Sequence, residues 1–373
     1  MDITREDLLS LFLQLVEIPS PSGSERSVAD LVLTFLRDVG LEPLEDDTAA
    51  ATGAGSGNVF VRVQGRGSGT PILLAAHMDT VAVTGVIRAV VEDGAVKSVG
   101  DTILGADDKT AVALLLMLLR ELAAEPPLCD VEVLFTTSEE IGLRGAKAFD
   151  ASRLAAQAGF VFDSSGPLGR IVTAAPAHKS LVADFKGVAA HAGIEPQKGR
   201  SAVVAAARAV AAMKLGRIDE ATTANVGLIS GGVATNIVPE HCRIEAEARS
   251  REPARLSAQI AHMLAAVNEA ATLAGVDVAT SVVDEYAAFD LEPEALPVRI
   301  AWRALQAVGL EPRLGATGGG SDVNVFNAKG LPSVNLDIGF EDVHTSAERM
   351  PVDRLLLGHR LVRALVDAAA DTV

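Results

Sequence analysis

Residues 72–81 read ILLAAHMDTV, a short apolar run that stops at a histidine and an aspartate. Three later segments have the same form: VEVLFTTSEE at 131–140, GFVFD at 159–163 and SVNLDIGFEDVH at 333–344. Apolar runs of this length are typical of strands that are buried on both faces and covered by helices. The repeated pattern therefore predicts an α/β fold with a central sheet.

The same pattern predicts where a functional site lies. In open α/β sheets, ligand-binding residues collect beyond the carboxyl ends of the strands. Acidic residues and histidines end or follow the four apolar runs, and two further aspartates begin the apolar helix between the first two runs. These residues are His77, Asp79, Asp107, Asp108, Glu139, Glu140, Asp163 and His344.

Each motif also has a plainer explanation. A single histidine at a strand end is more often structural than a ligand, and an aspartate in GADDK can simply cap the helix. However, the H-x-D spacing puts His77 and Asp79 on one face, so that Asp79 can hold the second imidazole nitrogen. Alternation points Glu139 and Glu140 apart, so that one can bind a metal while the other acts as a general base.

The histidines and acids together indicate a metal site more strongly than any one of them does. Two histidines and three acids form a nitrogen and oxygen donor set suited to zinc, manganese or cobalt. This set is too large for one tetrahedral zinc. Two ions about 3.5–4 Å apart that share one carboxylate would use all the donors.

The middle of the chain has a different pattern. From about Lys179 to Asp284 the predicted order is strand, helix, strand, strand, helix, strand. This order is that of a compact ferredoxin-like α+β unit. We therefore expect a second domain, residues 178–286, inserted into a discontinuous domain formed by residues 1–177 and 287–373.

Composition limits the classes of function. The chain has 49 acidic and 32 basic residues, a formal net charge of -17, so it is expected to repel nucleic acids. Its two cysteines favour a reducing compartment. The N-terminal segment is acidic where a secretion signal is basic, and the longest apolar run, 111–119, is too short to span a bilayer. We expect a cytoplasmic protein without nucleic-acid or membrane partners.

Seven segments match, in order, the motifs of one known family. They are AAHMDTV (75–81), GDTILGADDKTAVALLL (100–116), TTSEEIGLRGAK (136–147), VFDSSG (161–166), AHAG (190–193), GGVATNIVPE (231–240) and GGGSDVNVFNAKGLPSVNLDIGFEDVHT (318–345). With these motifs the chain resembles the M20 co-catalytic zinc metallopeptidases, in the branch of peptidase T, a tripeptide aminopeptidase. The resemblance implies a zinc-exopeptidase-like catalytic domain, with a mixed central sheet flanked by helices, and an inserted lid and dimerisation domain.

The resemblance also implies the role of each metal ligand. It implies two Zn²⁺ per subunit, for which Mn²⁺ or Co²⁺ could substitute. His77 and Asp163 would bind one ion, and Glu140 and His344 would bind the other. Asp107 would bridge both ions and would be joined to Asp108 by a cis peptide bond.

Catalytic and lid residues follow from the same resemblance. Asp79 would orient His77, and Glu139 would be the general base for a water that bridges the ions. In a homodimer formed through the lid domain, His191 would reach the partner subunit's active site. Asn236 and Arg249 would meet the carboxylate end of the substrate.

The activity implied is that of an aminopeptidase, which releases the N-terminal residue of short peptides such as tripeptides. Asp163 favours this branch, because the carboxypeptidase and deacylase branches usually have a glutamate there. An M20 carboxypeptidase, dipeptidase or N-acyl amino acid deacylase is the alternative with the same chemistry. A non-catalytic binding module is a more distant alternative, since it predicts the loss of a ligand or of the base, and this sequence keeps them all.

Overall fold

The computed structural model describes residues 4–372, and the chain divides into two compact units. The first unit comprises the chain up to Thr173, Leu291–Ala316 and the residues from Ser321 onward. The second unit, Ala174–Asp290 with Thr317–Gly320, is inserted into the first. The sequence placed the inserted domain at 178–286, so the two descriptions differ by four residues at each end.

The helices and strands have the following order along the chain. Up to residue 175 the elements are α1 (Arg5–Val16), α2 (Arg26–Asp38), β1 (Leu44–Glu45), α3 (Ala49–Thr52), β2 (Val59–Val63), β3 (Ile72–His77), β4 (Ala89–Glu92), β5 (Ala95–Ser98), α4 (Ala106–Ala124), β6 (Val131–Thr136), α5 (Arg144–Ala148), β7 (Ala158–Ser164) and β8 (Arg170–Ala175). From there to residue 290 they are β9 (Ala177–Lys186), α6 (Ala202–Ala212), β10 (Gly216–Arg217), β11 (Thr222–Gly231), β12 (His241–Ser250), α7 (Pro253–Ala274), β13 (Asp277–Tyr286) and β14 (Phe289–Asp290). The last part of the chain contains α8 (Leu296–Ala307), β15 (Arg313–Ala316), α9 (Asp322–Ala328), β16 (Ser333–Asp337), β17 (Arg349–Pro351) and α10 (Val352–Ala370).

The first unit is built on a mixed sheet in which its strands have the order β1-β2-β6-β3-β7-β16-β8, with β15 also paired to β8. Strand β3 is parallel to β6 and β7, and β16 is parallel to β7, whereas β2 and β8 are antiparallel to their neighbours. Every residue of β3, β6 and β16 is buried, as expected for strands covered on both faces. The predicted α/β class with a mixed central sheet is confirmed.

Helix α4 fills the centre of this unit. Its residues 106–119 are all buried; from 111 to 119 the helix is apolar on every side, and it packs on β3, α1 and α10. The sequence predicted the helix from Thr110 after a GADDK turn, and in the structure Asp107 and Asp108 have non-helical backbone angles, so they form a kink within α4 before its regular part. Within the described residues 4–372, no helix combines the length and the apolar character needed to cross a bilayer.

The second unit has the predicted ferredoxin-like arrangement. Its sheet is antiparallel throughout, with the order β10-β11-β12-β9-β13, and α6 and α7 pack against it. Along β12, buried side chains such as Ile244 and Ala248 alternate with more exposed ones, as they must when one face of a sheet is covered. The covered face and the two helices form a separate core around Phe185 and Met263.

Candidate metal centre

The predicted ligands of the first unit meet at one edge of its sheet. Strands β3, β6, β7 and β16 run in the same direction, so their carboxyl ends share that edge. His77 is the last residue of β3, Asp163 lies at the end of β7, and Glu140 and His344 follow β6 and β16. Asp107 lies near the start of α4 and contacts His77 and His344 at this edge.

The Asp107 carboxylate lies between two imidazoles. Its Oδ1 is 3.3 Å from Nε2 of His77, and its Oδ2 is 3.2 Å from Nε2 of His344. Nε2 of His344 is also 3.0 Å from Oε1 of Glu140. A carboxylate whose two oxygens face different histidines has the arrangement that a bridging ligand requires. The peptide bond between Asp107 and Asp108 is cis, as the resemblance implies.

His77 is held in the orientation that a ligand needs. Its Nδ1 lies 2.9 Å from the main-chain oxygen of Asp79, and a carbonyl oxygen can only accept a hydrogen bond. Nδ1 therefore carries the proton, and in the neutral imidazole Nε2 keeps its lone pair for a metal. The carboxylate of Asp79, which was expected to hold this ring, is farther away, with Oδ1 at 3.6 Å from Nδ1.

Asp79 instead holds the two adjacent glutamates through their backbone. Its Oδ1 accepts a hydrogen bond from the main-chain N–H of Glu139 at 3.0 Å, and its Oδ2 accepts one from that of Glu140 at 3.2 Å. The Ser22 hydroxyl donates to Oδ2 at 2.6 Å. Asp79 is completely buried, so these hydrogen bonds offset the cost of removing its charge from water.

Electrostatics in this cluster are dominated by negative charge. Burial raises the pKa of Glu139 and of Asp163 well above the ordinary values, and nearby carboxylates add to the effect. Burial opposes protonation of His77, but Asp107 and Glu139 outweigh it and raise the pKa of the imidazole well above its ordinary value. Although burial opposes ionisation of Asp107 too, hydrogen bonds with His344 and His77 lower its pKa. The buried carboxylates outnumber the imidazoles, so the cluster attracts protons or cations.

The donor set fits divalent cations. Two overlapping groups have donor atoms that all lie within 4.8 Å of one another. One group is His77, Glu139 and Asp163, and the other is His77, Asp107 and Glu140. Imidazole nitrogens mixed with carboxylate oxygens suit zinc, manganese or cobalt, and a cation would relieve the repulsion among the acids.

The three remaining predicted site residues belong to the second unit. His191 and Asn236 lie on neighbouring backbone segments, because the main-chain N–H of Ala192 donates to the Asn236 oxygen at 2.9 Å. Arg249 lies on β12, where Glu247 accepts hydrogen bonds from its Nε at 3.2 Å and from its Nη2 at 2.9 Å. The guanidinium of Arg249 is thus held by a neighbouring carboxylate on the same strand.

The sequence patterns did not predict four polar residues of this region: Ser22, Glu25, Asp322 and Glu348. Asp322 begins α9, its Oδ2 accepts a hydrogen bond from the Thr136 hydroxyl at 2.6 Å, and burial raises its pKa to about 6. The only sequence feature that could have indicated Asp322 was its position beside small residues in GGGSD (318–322). That signal is typical of exposed turns and gave no reason to expect burial.

The fold and the site together define a metal-dependent hydrolase of α/β architecture. The chain matches the model of peptidase family M20/M25/M40 over residues 73–368. It belongs to that family, and it is a metallopeptidase, as the sequence predicted.

Solved structures and a curated relative agree with this assignment. Aminopeptidase PepT from Bacillus cereus is 39% identical, with a TM-score of 0.87 and 99% of each chain covered. A tripeptidase from Staphylococcus aureus is 35% identical with a TM-score of 0.93, covering 99% of this chain and 100% of that one. An uncharacterized Bacillus subtilis protein, YqjE, is 40% identical over 369 residues, which are 99% of this chain and 100% of the relative. Over 99% of its length the chain is therefore similar to an aminopeptidase and to a tripeptidase.

Asp79→Asn tests the arrangement of the two glutamates. The side-chain amide nitrogen of the asparagine cannot accept a hydrogen bond. At least one of the two backbone N–H groups, that of Glu139 or that of Glu140, therefore loses its acceptor. We expect a fall in kcat/KM and in zinc affinity of about 10–100-fold, measured by peptide hydrolysis and by chelator competition. Ser22→Ala, which removes only the hydroxyl donor, is the matched control and should change either value by less than about threefold. Equal effects of the two substitutions would contradict this role of Asp79.

Proposed function

We propose that this metallopeptidase is a di-metal aminopeptidase that removes the N-terminal residue from short peptides. The observation that carries the proposal is the position of the Asp107 carboxylate between His77 and His344. A single carboxylate whose two oxygens face two different imidazoles supports a two-ion centre rather than a single structural ion. The similarity to an aminopeptidase and to a tripeptidase supports the choice of substrate.

In this proposal the donor atoms divide into two sites. His77 and Asp163 hold one ion, Glu140 and His344 hold the other, and Asp107 serves both. Zn²⁺ is the proposed ion, with Mn²⁺ or Co²⁺ as substitutes, because all three accept mixed nitrogen and oxygen donors. When bound, such ions supply Lewis acidity that lowers the pKa of water and polarises a carbonyl group.

Glu139 is the proposed general base. It is buried among the donors, yet it belongs to a different donor group from Glu140, its neighbour in the chain. Its carboxylate would take a proton from the attacking water and later return one to the leaving amine. Asp79 would fix the backbone that carries both glutamates, so that one binds metal and the other moves the proton.

The second unit is proposed to act as a lid and as a dimerisation domain. His191 would enter the partner subunit's active site, and Asn236 and Arg249 would bind the carboxylate end of the peptide. Support comes from the pairing of the His191 and Asn236 segments and from the ion pair that fixes Arg249. A guanidinium held on one edge is well suited to binding a carboxylate.

A cytoplasmic location is proposed with the same partners: a short peptide substrate and a second copy of the chain. Cys129 and Cys242 are both free and buried, which supports a reducing compartment. The formal net charge of -17 supports the absence of nucleic-acid partners.

The free amine is the feature that separates an aminopeptidase from the other M20 activities. We expect zinc- or manganese-loaded protein to release the N-terminal alanine from trialanine and to leave N-acetyl-trialanine intact. A chelator should abolish this cleavage, and added metal should restore it. Product analysis by chromatography distinguishes the cases, because cleavage of only the blocked peptide would indicate a carboxypeptidase or deacylase.

Glu139→Gln tests the base assignment. The amide keeps the shape of the side chain but cannot take a proton, so kcat should fall by about 10²–10⁴-fold with the zinc content unchanged. Glu140→Gln is the matched control on the adjacent residue and should lower the zinc content instead. Metal analysis and single-turnover assays measure both effects. Wild-type turnover by Glu139→Gln would exclude Glu139 as the base.

Complementation between variants tests whether His191 acts across a dimer. A heterodimer of Glu139→Gln and His191→Ala subunits, isolated with two different affinity tags, contains one intact site only if His191 serves the partner. We then expect about half of the wild-type activity, because one of the two symmetric sites is restored. If His191 serves its own subunit, both sites are defective and the heterodimer remains as inactive as the parent variants.

A further inference from the structure

Glu348 is a buried acid that the proposed reaction does not use. It is 2% exposed and lies four residues after His344. Its Oε2 accepts hydrogen bonds from the main-chain N–H groups of Leu104 at 2.8 Å and Gly105 at 2.7 Å. Its Oε1 accepts one from the N–H of Asp107 at 3.0 Å. A single carboxylate therefore binds three amides of the segment that carries the shared ligand.

These hydrogen bonds connect two segments that are distant in sequence. The acceptor and the donors are separated by 241–244 residues. The bound amides belong to a non-helical turn at the start of α4. Gly105 has a positive φ of 74°, and the backbone angles of Asp107 and Asp108 are not helical. Helix hydrogen bonds therefore do not hold this turn, and the carboxylate from the His344 loop binds its amides instead.

The loop that carries Glu348 is closed by its own hydrogen bonds. The Thr345 hydroxyl donates to the Asp342 oxygen at 2.6 Å and accepts from the Ala347 N–H at 3.2 Å. The Glu348 N–H closes the turn on the Thr345 oxygen at 3.2 Å. His344 itself is 47% exposed, so the buried Glu348 is the anchor that fixes this loop to the protein interior.

The Glu348 carboxylate is stabilised chiefly by its backbone donors. Three N–H groups offset part of the cost of removing it from water. The completely buried Lys109, whose ammonium donates to the main-chain oxygen of Ile18, attracts the carboxylate electrostatically, but burial lowers the pKa of that ammonium to about 7.

From these contacts we propose that Glu348 is a positioning residue for the metal centre. By binding the 104–107 amides from the His344 loop, it fixes the distance between Asp107 and His344, two of the proposed ligands. The proposal rests on the proposed two-ion function, but it assigns a role to a residue outside the donor set. Residues that orient metal ligands in this way typically change metal affinity about 10–100-fold when they are substituted.

Zinc affinity of the metal-free protein tests this role directly. Glu348→Gln should weaken zinc binding about 10–100-fold in competition with a chromophoric chelator, because an amide nitrogen would face one of the N–H donors. The visible spectrum of the Co²⁺-loaded variant should also shift, since the ligand geometry around the ion changes. Glu348→Asp keeps the charge but is shorter, so it should recover part of the affinity.

Glu132→Gln is the matched control. Glu132 is equally buried and accepts hydrogen bonds from the main-chain N–H groups of Ala155 and Ala156, but it lies at the other end of β6 from the site. The Glu132→Gln substitution should lower the melting temperature without changing the zinc affinity.

Three outcomes would overturn the proposal. If Glu348→Gln melts earlier but binds zinc as tightly as the wild type, Glu348 only stabilises the 104–107 turn. If Glu348→Gln does not fold but Glu348→Asp folds and binds zinc with wild-type affinity, Glu348 likewise only stabilises that turn. A wild-type protein that binds no zinc would overturn the two-ion function together with this role, so the two failures are distinguishable.

Discussion

The repulsion among buried carboxylates is the constraint on which the first unit depends. Asp107, Glu139 and Asp163 meet at one sheet edge, where the charge of Asp163 adds to the raised pKa of Glu139 and the charge of Asp107 adds to that of Asp163. Two like charges 4 Å apart repel by about 4 kcal/mol at the effective dielectric constant of a protein. The fold cannot remove this repulsive energy. The apolar strands bring their carboxyl ends to one edge of the sheet, whether or not those ends carry charged residues. The repulsive energy is offset by two imidazoles and, in the proposed function, by cations.

A second set of buried acids keeps the first set in place. Asp79, Glu25 and Glu348 each accept hydrogen bonds from backbone amides of the segments that carry the candidate ligands and base. Glu25, for example, binds both the N–H and the hydroxyl of Ser138, the residue before Glu139. Backbone donors are suited to this purpose, since they fix the chain itself and leave the ligand side chains free to bind. The rigidity of the site therefore comes from acids that do not belong to the donor groups.

The two faces of the sheet in the second unit differ in composition. One face of its antiparallel sheet is covered by α6 and α7, and the other carries charged residues such as Arg243 and Glu247. Because alternate residues of a strand point to opposite faces, the same strand can build a core and present charges. Arg249 uses this property, since it follows the buried Ala248 and is held by Glu247 on the charged face. A sheet with one covered face and one charged face suits a domain whose proposed role is to contact substrate and partner.

By itself the sequence determined the fold class and the identity of the candidate ligands. Apolar runs that end at histidines and acids depend on local patterns of a few residues, and they predicted β3, β6, β7 and β16 and the edge where His77 and Asp163 meet. Only the tertiary structure decided how the ligands are supported. Glu348 lies more than 240 residues from the amides that it binds, and the carboxylate of Asp79 turned to the Glu139 backbone rather than to the imidazole. Hydrogen bonds between distant segments leave no periodic signal in a sequence, because they depend on how loops are packed after the strands have set the edge.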